Sequence, residues 1–215
     1  MPKLLYLTAN TKPEKNSTSK TVGRAMVHAM VKENPSLEVD ELDLYDTRLP
    51  KPRGEYYEGR SALLSQEKRA SLPKKAQEDL RAMETLCDQF ISADIIILAC
   101  PMWNISFPAP VKAYLDCVIQ VGKTISFEGG LPHGLLGDKE RKFLYIQSSG
   151  AGVPLFLRPS MNRGLNYCKD MVRLMGIHKF YELLVDSTGD SEEERQTAIS
   201  EALQKVGSLS KKLSV

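Results

Sequence analysis

Long apolar runs, clustered cysteines, clustered histidines and blocks of like charge are all missing from this 215-residue chain. The first apolar stretch, Leu4 to Leu7, is far too short for a signal-peptide core or a membrane span, and no later stretch approaches the needed length. A soluble, cytoplasmic protein is expected. Lys and Arg number 29 against 27 Asp and Glu, a net charge of +2, with the signs alternating along the chain. Nucleic-acid binding leaves a concentrated basic footprint, so nucleic acid is not an expected partner. Cys87, Cys100, Cys117 and Cys168 stand apart with no Cys-x-x-Cys pair, which argues against a disulfide framework or an iron–sulfur cluster. They read as small buried hydrophobes in a reducing compartment. His28, His133 and His178 lie on different segments, so no metal site is expected.

Several signatures of nucleotide and hydrolytic chemistry are missing too. No Gly-x-Gly-x-x-Gly follows the first strand, and no Gly-x-Ser-x-Gly elbow exists. Gly122-Lys123-Thr124 imitates the end of a Walker loop, but Cys117 stands where its first glycine belongs, and a predicted helix precedes it. A receiver domain needs acidic residues after strands one and three; Thr8-Ala9-Asn10 and Cys100-Pro101 are there instead.

What is present is an alternation of strands and amphipathic helices, long enough for one domain over residues 1–215. Lys3 to Thr8 reads as a strand, and Val22, Met26, Ala29 and Met30 mark a helix that Asn34-Pro35 stops. Leu37 to Leu44 alternates as a half-covered strand near an edge. Residues 45–72 form the longest irregular stretch, of a length that is usually functional or mobile; its Tyr56, Tyr57 and Arg60 read as solvated loop residues that can also shape an acceptor site. A helix with Leu80, Met83, Leu86, Cys87, Phe90 and Ile91 on one face leads into Asp94 to Cys100, an almost uninterrupted apolar strand of the kind buried at the centre of a parallel sheet. Val111, Tyr114, Leu115, Val118 and Ile119 mark the next helix. After a Gly-rich excursion from Gly122 to Gly137, Lys142 to Gln147 is the fourth strand. Pro159 suits the first turn of a helix with Leu165, Cys168, Met171, Val172 and Met175, closed by Gly176. His178 to Val185 is the fifth strand. Asp190 with Glu193 caps a last helix that carries Ile199, Leu203, Val206 and Leu209.

Five strands with intervening helices predict an α/β fold: a flavodoxin-like, doubly wound, five-stranded parallel sheet of order 2-1-3-4-5 in a three-layer sandwich. In such sheets ligands bind beyond the C-terminal ends of the strands at the switch point, here the loops after strands one, three and four. The first, Thr8 to Ser19, opens onto a helix N-terminus with three consecutive hydroxyls, a setting for a phosphate; its hydroxyls can equally serve as helix caps. The second, Pro101 to Pro110, holds the only tryptophan beside an amide and apolar residues, surroundings for a flat conjugated ring or for packing on a helix or a second subunit. The third, Ser148 to Gly152, is small enough for close backbone approach. A phosphate at the first loop and a ring between the other two describe FMN.

With these residues in place, the chain resembles the FMN-dependent NADH-azoreductases, the flavodoxin-like quinone and azo reductases. Ser17-Thr18-Ser19 and Pro101-Met102-Trp103-Asn104 carry the resemblance, supported by Lys112-Ala113-Tyr114-Leu115-Asp116 and Gly134-Leu135. It extends from Lys3 to about Val185, and Trp103 stands where the family has tyrosine or phenylalanine. The resemblance implies that Ser17, Thr18 and Ser19 hold the FMN phosphate, with Asn10 where a first-loop serine is common. It implies that Pro101, Met102, Trp103, Asn104 and Ile105 line the isoalloxazine, and that Ser148, Ser149, Gly150 and Ala151 close its other side. It further implies a homodimer with FMN at the interface, NADH as electron donor, and quinone or azo acceptors reduced by two-electron ping-pong transfer through flavin N5. A flavodoxin-type electron carrier and a non-enzymatic regulatory protein on the same fold are the alternatives.

Overall fold

In the computed structural model, which describes residues 1–152, 154–189 and 191–214, the first apolar run is strand β1 (Lys3–Thr8), followed by helix α1 (Thr18–Glu33). α1 stops before Asn34, because the proline after Asn34 disfavours helical backbone there. β2 (Glu38–Asp43) comes next. Residues 45–72 contain the short strands β3 (Tyr57–Gly59) and β4 (Ala62–Leu63) and helix α2 (Gln66–Arg69). Then follow α3 (Lys74–Ser92), β5 (Ile95–Pro101) and α4 (Ala109–Val118). The Gly-rich excursion folds as an antiparallel hairpin, β6 (Ile125–Glu128) with β7 (Leu131–Gly134). β8 (Lys142–Ser148), α5 (Arg158–Met161), α6 (Arg163–Leu174), β9 (Lys179–Val185) and α7 (Glu192–Leu213) complete the order.

The main sheet is parallel throughout, in the order β2-β1-β5-β8-β9, as the alternation of elements predicts. Strand side chains alternate between faces. Leu4, Tyr6, Ile95, Ile97, Leu144 and Ile146 pack under α1 and α7. Leu5, Leu7, Ile96, Leu98, Phe143 and Tyr145 pack under α3, α4 and α6. Every residue of β5 is buried, which gives the three-layer sandwich its centre. All four cysteines are buried and free; burial pushes the thiols of Cys87, Cys100 and Cys117 up to about 12, so they stay protonated at neutral pH.

Four local expectations need correction. The 45–72 stretch is tied to the core rather than loose. Tyr56 is buried, and its hydroxyl donates to Asp79 Oδ2 at 2.9 Å, so it is neither solvated nor free to meet a substrate. Arg48 Nη2 donates to Asp79 Oδ1 at 2.7 Å, and Arg69 makes a two-pronged pair with Glu84. The last helix is capped by Ser191 and Glu194 in a reciprocal box; Asp190 lies outside the described residues. Leu203 is exposed, while Ala198, Ala202 and Leu213 make the buried stripe with Ile199 and Val206. Pro159 falls in α5, a single turn separate from α6, whose own start is capped by Asn162.

Asp79 is the anchor of that long stretch. Asp79→Ala leaves the buried Tyr56 hydroxyl without an acceptor, which costs about 1–3 kcal/mol. Urea unfolding should show that loss, with faster tryptic cleavage at the basic residues between Arg48 and Lys68.

Candidate functional site

Parallel register brings three loops to one edge. Thr8 pairs with Ala99, and Pro101 with Ser148. The chain therefore leaves β1, β5 and β8 side by side, with about 5 Å between neighbouring strands. Two bonds continue the ladder into the loops: Ala9 N–H donates to Ala99 O at 3.1 Å, and Met102 N–H to Ser148 O at 2.7 Å. Between the loops lies a cleft of about 290 Å³.

The first loop is built around Ser17, the N-cap of α1. Its hydroxyl accepts from Asn10 Nδ2 at 2.9 Å and from Lys20 N–H at 3.4 Å, which leaves its own proton to donate. Asn10 in turn accepts from Lys12 N–H at 3.0 Å and closes the loop. Capping and ligand binding are thus compatible here: Ser17 caps the helix and also lines the cleft. Thr21 N–H donates to Ser17 O, so the N–H groups of Thr18 and Ser19 are the helix donors left for a ligand. Asn10, Asn16 and Thr18 line the cleft, whereas the Ser19 side chain is fully buried behind Ser17, 3.4 Å from its hydroxyl.

The second loop makes a tight turn, with Trp103 and Ser106 exchanging N–H···O bonds of 2.7 and 2.9 Å. Its two central residues have positive φ, 50° at Asn104 and 59° at Ile105. Asparagine tolerates that region; a β-branched isoleucine is strained in it. The turn is held from outside, because the Ile105 carbonyl accepts Arg163 N–H at 2.9 Å and Gly164 N–H at 3.3 Å from the start of α6. Gly164 permits that approach, since a Cβ there would sit 2.6 Å from Phe107 N. Pro101, Met102 and Trp103 line the cleft; Asn104 and Ile105 project beyond it and are exposed. Trp103 meets Tyr45 edge to face, ring centroids 6.5 Å apart. The fully buried Gln147 lies beneath, its Oε1 accepting from no described residue.

The third loop is clamped to the segment after β9. Ser149 Oγ donates to Asp186 Oδ1 at 2.7 Å, Thr188 N–H to Ser149 O at 3.1 Å, and Gly189 N–H to Gly150 O at 3.2 Å. Ser148, Ser149 and Gly150 line the cleft, and Ala151 stands outside it. The clamp adds lining residues absent from the sequence reading: Thr188, Gly189 and Arg195, besides Lys12 and Asn16 of the first loop. Glu192 takes Arg195 Nε and Nη2 at 2.8 and 2.7 Å. Hydrogen bonds from Arg195 and Gln196 hold the Glu192 carboxyl down to about 2, so the pair is ionised at every working pH.

Among the described residues, no aspartate, glutamate, histidine or cysteine lines the cleft. The start of α1 brings helix donors and hydroxyls to the cleft, Lys12 and Arg195 add basic side chains, and Pro101, Met102 and Trp103 add apolar surface. That donor set fits FMN, an anionic phosphate at one end and a flat ring at the other. A second cleft, between α1 and β2, lacks this character. Its charges are already paired, Lys20 with Asp43 at 2.6 Å and Arg24 with Glu41 at 2.5 Å. No cluster of metal-binding side chains occurs among the described residues. Among them, no helix is long and apolar enough to cross a membrane.

Comparison with known proteins supports the fold and gives the family. Residues 2–209 match the model of the flavodoxin-like fold family, to which the chain belongs. A Ruminiclostridium cellulolyticum protein named FMN-dependent NADH:quinone oxidoreductase is 51% identical over 97% of this chain and 98% of its own length. A Clostridium botulinum protein of the same name is 47% identical, with the same coverage of both chains. An FMN-dependent NADH-azoreductase from Bacillus anthracis, solved in complex with FMN, shares the fold with a TM-score of 0.81 at 24% identity, over 98% of this chain and 100% of that one.

The strain at Ile105 yields a direct test. Ile105→Asn keeps the turn and relieves the β-branched residue, so it should stabilise the protein by about 1 kcal/mol and raise the calorimetric midpoint by a few degrees.

Proposed function

We propose that this chain, folded as one domain over residues 1–215, is an FMN-dependent NADH oxidoreductase that reduces quinones and azo compounds. The observation that carries the reading is the composition of the cleft: helix donors, hydroxyls and two basic side chains together with Trp103 and Pro101, and no acidic lining among the described residues. Bound there, FMN supplies two-electron chemistry, accepting hydride from NADH and passing the electrons to a quinone or azo acceptor.

The chain's own residues bind and orient. Ser17, Thr18, Ser19 and Asn10 form the phosphate end, with Ser19 acting through its backbone N–H and through Ser17. Pro101, Met102, Trp103, Asn104 and Ile105 shape the ring end, and Ser148, Ser149, Gly150 and Ala151 border the opposite side. Both substrates would need the same flavin face, so NAD would leave before the acceptor enters, and ping-pong kinetics would follow. Among the described residues, the titratable groups that line the cleft are Lys12 and Arg195, both cations, so no described side chain there serves as a proton acceptor.

Trp103 and Ile105 are 43% and 44% exposed, and Phe156 and Met161 are exposed on the segment that leads into α6, whose first N–H groups bond the Ile105 carbonyl. Large apolar side chains left exposed on neighbouring loops are the kind of surface an interface covers. We assign them to a homodimer face beside the FMN site, in a cytoplasmic enzyme whose buried thiols stay reduced. Sedimentation equilibrium should give twice the chain mass, and Phe156→Glu should shift it toward the monomer.

The activity is tested by the absorbance of purified protein under anaerobic conditions. NADH should bleach a visible flavin band, and benzoquinone should restore it fully. A flavin band that NADH leaves unchanged points to an electron carrier; no flavin, even after reconstitution with FMN, removes the enzymatic reading.

A further inference from the structure

Arg195 is not explained by helix stability alone. It stands in the first turn of α7, and its carboxylate partner three residues earlier occupies Nε and Nη2. The third nitrogen, Nη1, is buried and reaches no acceptor among the described residues. Burying a guanidinium N–H without an acceptor is costly, and a donor left so beside a cleft calls for a ligand atom. Arg195 lines that cleft together with Thr18 and Asn16.

Helix packing places it at the phosphate end. α1 and α7 pack on the same face of the sheet and both follow strands of one parallel sheet, so they run side by side in the same direction. Their C-terminal ends are joined: Ser210 Oγ donates to Glu33 Oε1 at 2.8 Å. Thr18 and Arg195 lie equally many residues upstream of that contact along their helices, so the two first turns stand level. The clamp of Thr188 and Gly189 onto Ser149 and Gly150 fixes the segment that carries Arg195 to this position.

We infer that Arg195 Nη1 donates to the phosphate of the bound flavin, so that α7 as well as α1 holds the cofactor, with Glu192 fixing the guanidinium plane. The inference rests on the reading that FMN occupies this cleft. Arg195 is then a cofactor-binding residue that discriminates FMN from riboflavin. A two-phosphate group such as that of NADH presents the same chemistry, and the two sources are separated by titrating flavin without dinucleotide.

The experiment uses apoprotein and follows quenching of flavin fluorescence by FMN and by riboflavin, for the wild type, R195A, R195K and T18V. Loss of a charge-assisted hydrogen bond predicts about 10- to 100-fold weaker FMN binding in R195A, unchanged riboflavin binding, and partial recovery in R195K. Equal apoprotein melting temperatures keep the comparison free of folding effects. Unchanged FMN affinity in R195A overturns the inference, including the case in which only KM for NADH rises. Equal loss for FMN and riboflavin overturns it too, because the contact is then with the ring or the fold. If T18V weakens FMN and R195A does not, the cleft reading stands and the Arg195 inference fails. If wild-type protein binds FMN no more tightly than riboflavin, the phosphate end itself is misplaced, and both fail.

Discussion

β5 has no face open to water: Ile96 and Leu98 lie under one helical layer, Ile95 and Ile97 under the other. A strand buried on both faces requires covering helices on both sides, and helices that join parallel strands supply them. Parallel strands in turn place all their C-terminal ends along one edge. The apolar run at 95–101 therefore does more than stabilise a core. It obliges the loops at Ala9, Met102 and Ser149 to emerge together, and the cleft exists because they do. Each fully buried isoleucine or leucine there contributes about 1.5–3 kcal/mol, so the scaffold can tolerate local strain at its rim.

Several departures from ordinary preferences fall at that rim, besides those elsewhere such as the positive φ of Ser61 and the buried Tyr114 hydroxyl, which has no partner among the described residues. Ile105 occupies a left-handed conformation, a buried Gln147 oxygen has no described donor, and a buried Arg195 nitrogen has no acceptor among the described residues. All three lie at or beside the cleft. The Ile105 turn is held because α6 donates two N–H groups to its carbonyl and Gly164 lets the helix come close. Side chains that bend local rules while the rest of the sheet obeys them are what a binding site preorganised for a ligand looks like.

Much of this was legible in the sequence because it depends on period and spacing. Apolar runs and helical stripes predict the five strands, the main helices and the sheet order, and the switch-point rule selects three loops whose residues the cleft brings together. What was not legible depends on contacts between distant segments. Nothing in the composition of 45–72 reveals that Tyr56 is bound by Asp79 from α3. Thr188, Gly189 and Arg195 reach the cleft only because backbone bonds tie their segment to Ser149 and Gly150. The exposed Leu203 and the Ser191 cap differ from expectation by small shifts along α7, the scale on which helix ends are read least well from pattern alone.

The central claim is that the cleft between the loops after β1, β5 and β8 holds the flavin. A crystal structure of the protein with FMN tests it most directly. The account predicts phosphate oxygens on the Thr18 and Ser19 N–H groups and the ring against Pro101 and Trp103. Flavin in the paired-charge cleft beside Tyr6 and Arg24, or with its ring at the α1 end, would contradict it.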